Sequence, residues 1–391
     1  MAEPIRVPVT LLATAAFFTG AALRICDSLL PRLARDFDVT PGAAGRVIIG
    51  YSLAYGLMQL LYGSLGDRYG KGRLVCLALF GSAAGSLASA FAPGFDSLVA
   101  LRVAWGMAGA GVIPLSMAWI GDAVPYEQRQ ATLAHFLLGL LSGMMAGQLA
   151  GGLFADAAPG FRGAFLTLSV GYAVVALLML AQLRRAPKAA PRAPGGPSIA
   201  LQLRSVLVLP WTRVVLATCF AEGVFLLGPI SYLPAYLHQR HQLSLTTASA
   251  LIALYAVGGL LYALTARHIV RRFGERRMAL AGGVMMGTGY LAWALSPLWQ
   301  LAGPIALLVG FGTYLFHSTL QTHATQMAPT ARGTAVALFA FCLFIGQALG
   351  VSISGWSFDR FGPMPMLLGP ALALPLVGWA FARALRRHSE H

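Results

Sequence analysis

Four charged side chains stand where charge is expensive: Arg24, Asp27, Arg102 and Glu222 each fall inside a long apolar run. Hydrocarbon solvates an ionisable group poorly, so such a residue marks a functional site by default. Arg24 and Asp27 are three residues apart, and a helix places both on one face as a pair. A carboxylate there is pulled two ways: burial favours its neutral form, a guanidinium its charged form. Motion that wets the site or withdraws the arginine loads or unloads a proton. Asp27 is therefore the first candidate proton carrier and Glu222 the second. The plainer readings are an interface salt bridge for Arg24 and Asp27, a hydrogen-bonded neutral carboxyl for Glu222, and carbonyl binding on helix 1 for Arg102.

Uncharged polar residues in the same runs supply candidates for contact with a substrate. Tyr51, Tyr55 and Gln59 are spaced by four and share one helical face. Gln148 lies beside a row of glycines. His317 and Gln321 share a face of a later run, with His323 just beyond. Together with Arg24 these are the expected cavity residues. No GxxxxGK[ST] loop is present, which argues against an ATP-driven pump. No cluster of histidine, cysteine and carboxylate points to a metal, and no serine or cysteine has a nucleophilic setting. An enzyme is not expected, nor a cofactor. Cys26, Cys76, Cys219 and Cys342 lie in apolar runs and read as small buried hydrophobes.

The elements that hold these residues follow from composition. The chain is 57% hydrophobic and only 10% charged, against about 25% charged in soluble domains. Apolar stretches long enough to cross about 30 Å of hydrocarbon recur along its length. The fold class is all-α and membrane-spanning, with twelve transmembrane helices in two six-helix halves. Residues 1–183 form the first half, 184–210 a basic linker rich in proline, and 211–391 the second half, with a short surface helix near Ile199 to Leu207. Arg129, Phe136, Gly143, Gly147, Gly152 and Asp156 reappear 203 positions later as Arg332, Phe339, Gly346, Gly350, Gly355 and Asp359. Two related halves of this kind are the layout of parallel-repeat transporters. Gly139, Gly143, Gly147 and Gly151 keep a four-residue register that lets another helix come close.

The net charge of +15 does not indicate nucleic acid, because the basic residues fall in short loops. Twenty of the 28 Lys and Arg residues lie on one side of the alternating loops and five on the other. Both termini and the linker are accordingly expected in the cytoplasm, in a multi-pass protein of the cell (inner) membrane. The expected partners are the lipid bilayer, a small-molecule substrate and protons, and the expected state is a monomer.

The stretch Gly63 to Arg73 is a charged, glycine-punctuated loop between two apolar runs. It carries Asp67, Arg68, Lys71 and Arg73, with Gly70 placed to end one helix before the next begins. It resembles the signature between the second and third helices of the major facilitator superfamily, G-x-L-(A/G)-D-R-x-G-(R/K)-(R/K), with Gly72 where a basic residue is common. The resemblance implies a gate in which Asp67 meets the start of helix 11, near Arg332 to Thr334, and closes the cytoplasmic side. It also implies a charge network in which Arg68 and Arg73 pair with Asp122 and Arg129 takes part. Asp27 to Pro31 resembles the D-x-x-x-P stretch of drug/proton antiporters in that superfamily. Arg102 to Ala110 resembles its R-x-x-x-G-x-G-A motif with one extra residue, which implies a buried Arg102 that modulates the proton site. Gly143 to Gly152 resembles the antiporter motif G-x-x-x-G-P-x-x-G-G, with Gln148 in place of proline. These likenesses imply proton-coupled export of small amphipathic molecules by alternating access. The alternative is a facilitator or symporter for a small organic anion held by Arg24 and Arg102.

Overall fold

A computed structural model describes residues 8–185 and 199–389. Among them, eleven helices are long and apolar enough to cross a membrane. The longest, Leu245–Leu295, is two spans in one: Gly274 takes φ 69° within it and turns the chain back. Gly70, at φ 90°, does the same between Pro41–Tyr69 and Lys71–Ala90. Side chains other than glycine seldom adopt this backbone. Counting the two arms separately gives the twelve spans expected.

The spans are α1 Val9–Asp36, α2 Pro41–Tyr69, α3 Lys71–Ala90, α4 Phe95–Ala123, α5 Tyr126–Asp156, α6 Gly160–Arg185, α7 Pro210–His241, α8 (245–273), α9 (275–295), α10 Trp299–Gln326, α11 Arg332–Phe361 and α12 Pro363–Ser389. The expected surface helix is present at Ile199–Leu207, with Val206 buried beneath it and Leu201 exposed. Its Gln202 accepts a hydrogen bond from Thr334 Oγ1 at the start of α11 (2.8 Å). Residues 186–198 of the expected linker lie outside the described residues.

The glycine register on α5 works as its spacing predicts. A Cβ on Gly139, Gly143, Gly147 or Gly151 would run into the carbonyl oxygen of Ala13, Phe17, Ala21 or Ile25 on α1. The repeat preserves this contact. A Cβ on Gly346 or Gly350 of α11 would strike the carbonyls of Phe220 and Val224 on α7, each 203 positions on from its counterpart. The pairs α1–α5 and α7–α11 are thus packed backbone against backbone.

One irregularity lies in α7. Residues Gly223–Leu227 form a π-helical turn, closed by the Gly228 N–H on the Gly223 carbonyl. Pro229 follows; it has no N–H to give the carbonyl four residues back, and its ring crowds that carbonyl. The widened turn starts one residue after Glu222. Such turns occur often at functional sites.

Candidate functional site

A cavity lies between the halves. Its walls include Arg24, Asp27 and Gln148 from the first half and Ile252, Tyr255 and Tyr314 from the second. Arg24 Nη1 donates to Asp27 Oδ2 at 3.1 Å, and both side chains are buried. Asp27 Oδ1 has no hydrogen-bond partner among the described residues. Ser231 of α7 stands near, but its hydroxyl donates back to the Leu227 carbonyl (3.2 Å). Gln148 fixes the position of α1: its Nε2 donates to Ser28 Oγ (2.8 Å), which in turn donates to the Gln148 carbonyl (3.0 Å). The Arg24 guanidinium faces the Tyr255 ring at 6.0 Å, across the boundary between the halves. The arrangement is a compensated buried charge with one carboxylate oxygen free to take a proton or a donor group.

Glu222 is equally buried and sits in the second half. Its Oε2 meets His317 Nδ1 of α10 at 2.9 Å, and the imidazole packs on Phe339 of α11. Tyr255 and Tyr314 lie within electrostatic reach of both Arg24 and Glu222. Two ion-pair sites therefore flank a pair of phenols. Gln321, one turn beyond His317, is exposed.

Arg102 is placed differently. It is buried, its Nε donates to the Val47 carbonyl of α2 (3.4 Å), and its guanidinium lies 4.0 Å from the Tyr51 ring centroid and 4.6 Å from that of Trp105. Stacking on ring faces offsets the loss of water. The carbonyl it binds is on α2, where the plainer reading expected α1. Tyr51 stacks on Tyr55 (5.7 Å), as their spacing predicts, and Tyr55 packs on Phe344 of α11 (4.6 Å). Gln59 is buried one turn further along. Arg102, Tyr51, Tyr55 and Gln59 are not among the cavity-lining residues. The tyrosine face of α2 is turned instead toward the guanidinium it shields and toward α11.

The signature loop makes contacts other than those the resemblance implies. Asp67 is 65% exposed and lies 3.7 Å from Lys71 Nζ, within its own half. Asp122 is bonded by Lys71; Arg68 lies over the Tyr69 ring and Arg73 is exposed. Lys71 reaches Asp122 because Gly70 starts α3 beside the end of α4. Arg129 Nη2 donates to the Val124 carbonyl (3.3 Å). Gly63 has open space beside it. At this face the described ion pairs stay within one half: Lys71 with Asp67 and Asp122, and Glu275 with His323 (3.0 Å).

At the opposite face the halves are tied together. Asp156, ending α5, accepts from the first residues of α8: Leu245 N (3.2 Å), Thr246 N (2.8 Å) and Thr246 Oγ1 (2.7 Å). Asp359, near the end of α11, accepts from the start of α2: Gly42 N (2.9 Å) and Thr40 Oγ1 (2.5 Å). Each carboxylate meets the partly positive N-terminus of a helix from the other half. The sequence marked both aspartates as repeat positions but gave them no role, since backbone N–H donors carry no side-chain signature. Asp67 is unengaged with α11 because the halves are joined at the far ends of α2, α5, α8 and α11.

The model of the Major Facilitator Superfamily matches residues 12–351. The chain belongs to that superfamily. It is 25% identical over 344 residues to the uncharacterized MFS-type transporter YceJ of Bacillus subtilis, covering 88% of this chain and 87% of that protein. It is likewise 25% identical to a chloramphenicol resistance protein of Streptomyces lividans, over 92% of each chain. Among solved structures, a mutant of the nucleoside transporter NupG superposes with a TM-score of 0.78 at 14% identity, over 96% of this chain and 99% of that one. The superfamily member is a multi-pass membrane transporter of small molecules and not an enzyme.

Proposed function

We propose that this transporter is a proton-coupled exporter of small amphipathic molecules, working by alternating access with both termini in the cytoplasm of a bacterial inner membrane. The observation that carries the reading is the buried Arg24–Asp27 pair on the wall between the halves, with one carboxylate oxygen unpartnered. A proton and a substrate donor group compete for that oxygen, so binding of one favours release of the other. The mixed lining supports an amphipathic substrate: Met144, Met145, Ile230 and Ile252 are apolar, and Tyr255 and Tyr314 add hydroxyls. Similarity to the chloramphenicol resistance protein of Streptomyces lividans supports export. The ties of Asp156 and Asp359 across the far face, with Asp67 exposed, support a conformation closed at the far face, which this reading assigns as the non-cytoplasmic one. Only Arg24 of the two arginines considered for an anion lies at the cavity, which favours the exporter over the anion carrier.

The test is uptake into reconstituted vesicles under an imposed pH gradient, across lipophilic cations, neutral amphiphiles and small anions. The unmodified protein moves a cation or neutral amphiphile against its gradient, and Asp27→Asn binds it without gradient-driven movement. Transport by Asp27→Asn at the parental rate rejects Asp27 as the coupling residue.

A further inference from the structure

The exporter reading uses Asp27 and leaves Glu222 and His317 without a task. The two pair at 2.9 Å, yet they differ in access: the carboxylate is 1% exposed and the imidazole 21%. From His317, α10 continues through Gln321 and Thr325 to its end at Gln326, at the face of the signature loop. Residues at four-residue spacing share one helical face. Along this one, exposure rises from half-buried His317 to exposed Gln321 and Thr325. A polar stripe of that kind inside a membrane span borders water rather than lipid. The titratable groups facing the pair are Cys219 on α7, Tyr255 on α8 and Tyr314 on α10, with Cys342 of α11 beside Cys219; Arg24 lies across the two tyrosines. Thiols and phenols in apolar surroundings stay neutral near pH 7. The imidazole is therefore the group that bridges Glu222 and the exposed end of the stripe. The π turn that begins at Gly223 leaves Glu222 at the junction of two helical registers.

We propose that Glu222 and His317 form a second proton-binding unit, loaded from the signature-loop face through the imidazole. The proton balance is simple. Hydronium gives a proton to Nε2 of the imidazole while the proton on Nδ1 passes to Oε2 of Glu222. The products are water, an imidazole protonated on Nε2 and a neutral carboxylic acid, for a net uptake of one proton. This gives each half its own ionisable carboxylate, one beside a fixed guanidinium and one beside a titratable ring. Calling the loaded side cytoplasmic, and the unit part of coupling, rests on the exporter reading; the loading chemistry does not.

The experiment follows the infrared band of protonated carboxyl groups in the full-length protein in lipid nanodiscs, at equilibrium and after a rapid drop in pH. The parent shows a titrating band that Glu222→Gln lacks. His317→Asn and His317→Gln keep the band but form it roughly a hundredfold more slowly or worse, the scale of a lost proton-transfer group. Gln321→Leu, which breaks the polar stripe, slows it by a smaller factor. A band unchanged in Glu222→Gln, or loading at the parental rate in both His317 variants, overturns the proposal. No substrate is needed, so failure of the exporter reading shows up separately: vesicles with Asp27→Asn transporting normally reject that reading whatever the band does.

Discussion

Asp27 and Glu222 are both 1% exposed, and each has one basic partner. The partners make them different. Arg24 keeps its charge at any accessible pH, so Asp27 is held as half of a permanent pair. His317 carries no permanent charge, so the Glu222 pair is not fixed in the same way. The first site needs a conformational change or a ligand to part its charges; the second is the one proposed to take up a proton through its ring. Equal burial therefore gives unequal chemistry, and the deciding variable is the partner.

The strongest way to break this comparison is to remove the partners. Arg24→Ala leaves Asp27 buried without compensation and is expected to cost about 3–5 kcal/mol. His317→Ala costs less, about 1–3 kcal/mol, because it removes one hydrogen bond to Glu222 and no permanent charge. Chemical unfolding of both variants in detergent checks the order, and equal losses would remove the distinction. Next in size is the paired variant Asp156→Ala with Asp359→Ala. It loses five described hydrogen bonds across the far face and is expected to shift the population toward the far-side-open state by about 1–3 kcal/mol. Distances between spin labels on the starts of α2 and α8 and the ends of α11 and α5 report the shift; unchanged distances would show that the ties hold nothing shut. The smallest effect is expected from Lys71→Ala. Its bonds to Asp67 and Asp122 are at the surface, so stability should change by about 0–1 kcal/mol. A loss of several kcal/mol would mean that the loop network is structural in this state.

The spans, the reversal at Gly70 and the glycine register were legible because each is local: a run of apolar residues, a turn, a fixed period; the rest of Gly63 to Arg73, expected as a loop, is helical on both sides of Gly70. Asp27, Arg24 and Glu222 were legible because charge in an apolar run is rare. What the sequence withheld depends on which helices meet. Glu222 and His317 are 95 positions apart, and only the packing of α7 on α10 joins them. Tyr255 and Tyr314 carry no local signal in the sequence; the packing of α8 and α10 brings them to the cavity. Tyr51 and Tyr55 were placed on one face correctly, but spacing does not say which neighbour that face meets. The π turn had one local signal, Pro229 in the middle of a span.

The backbone contact of α1 with α5 leaves no room for sliding, because any side chain on the glycine row would collide with carbonyl oxygens. Asp27 rides on α1, and Asp156 ends α5. Glu222 rides on α7, packed in the same way on α11, which carries Asp359. Each buried carboxylate is thus at one point of a stiff two-helix lever whose far tip is a fastening to the opposite half. A change of charge at mid-membrane needs no chain of adjustable side chains to be felt at the surface: a tilt of the lever by a few degrees lifts its tip from the helix start it holds.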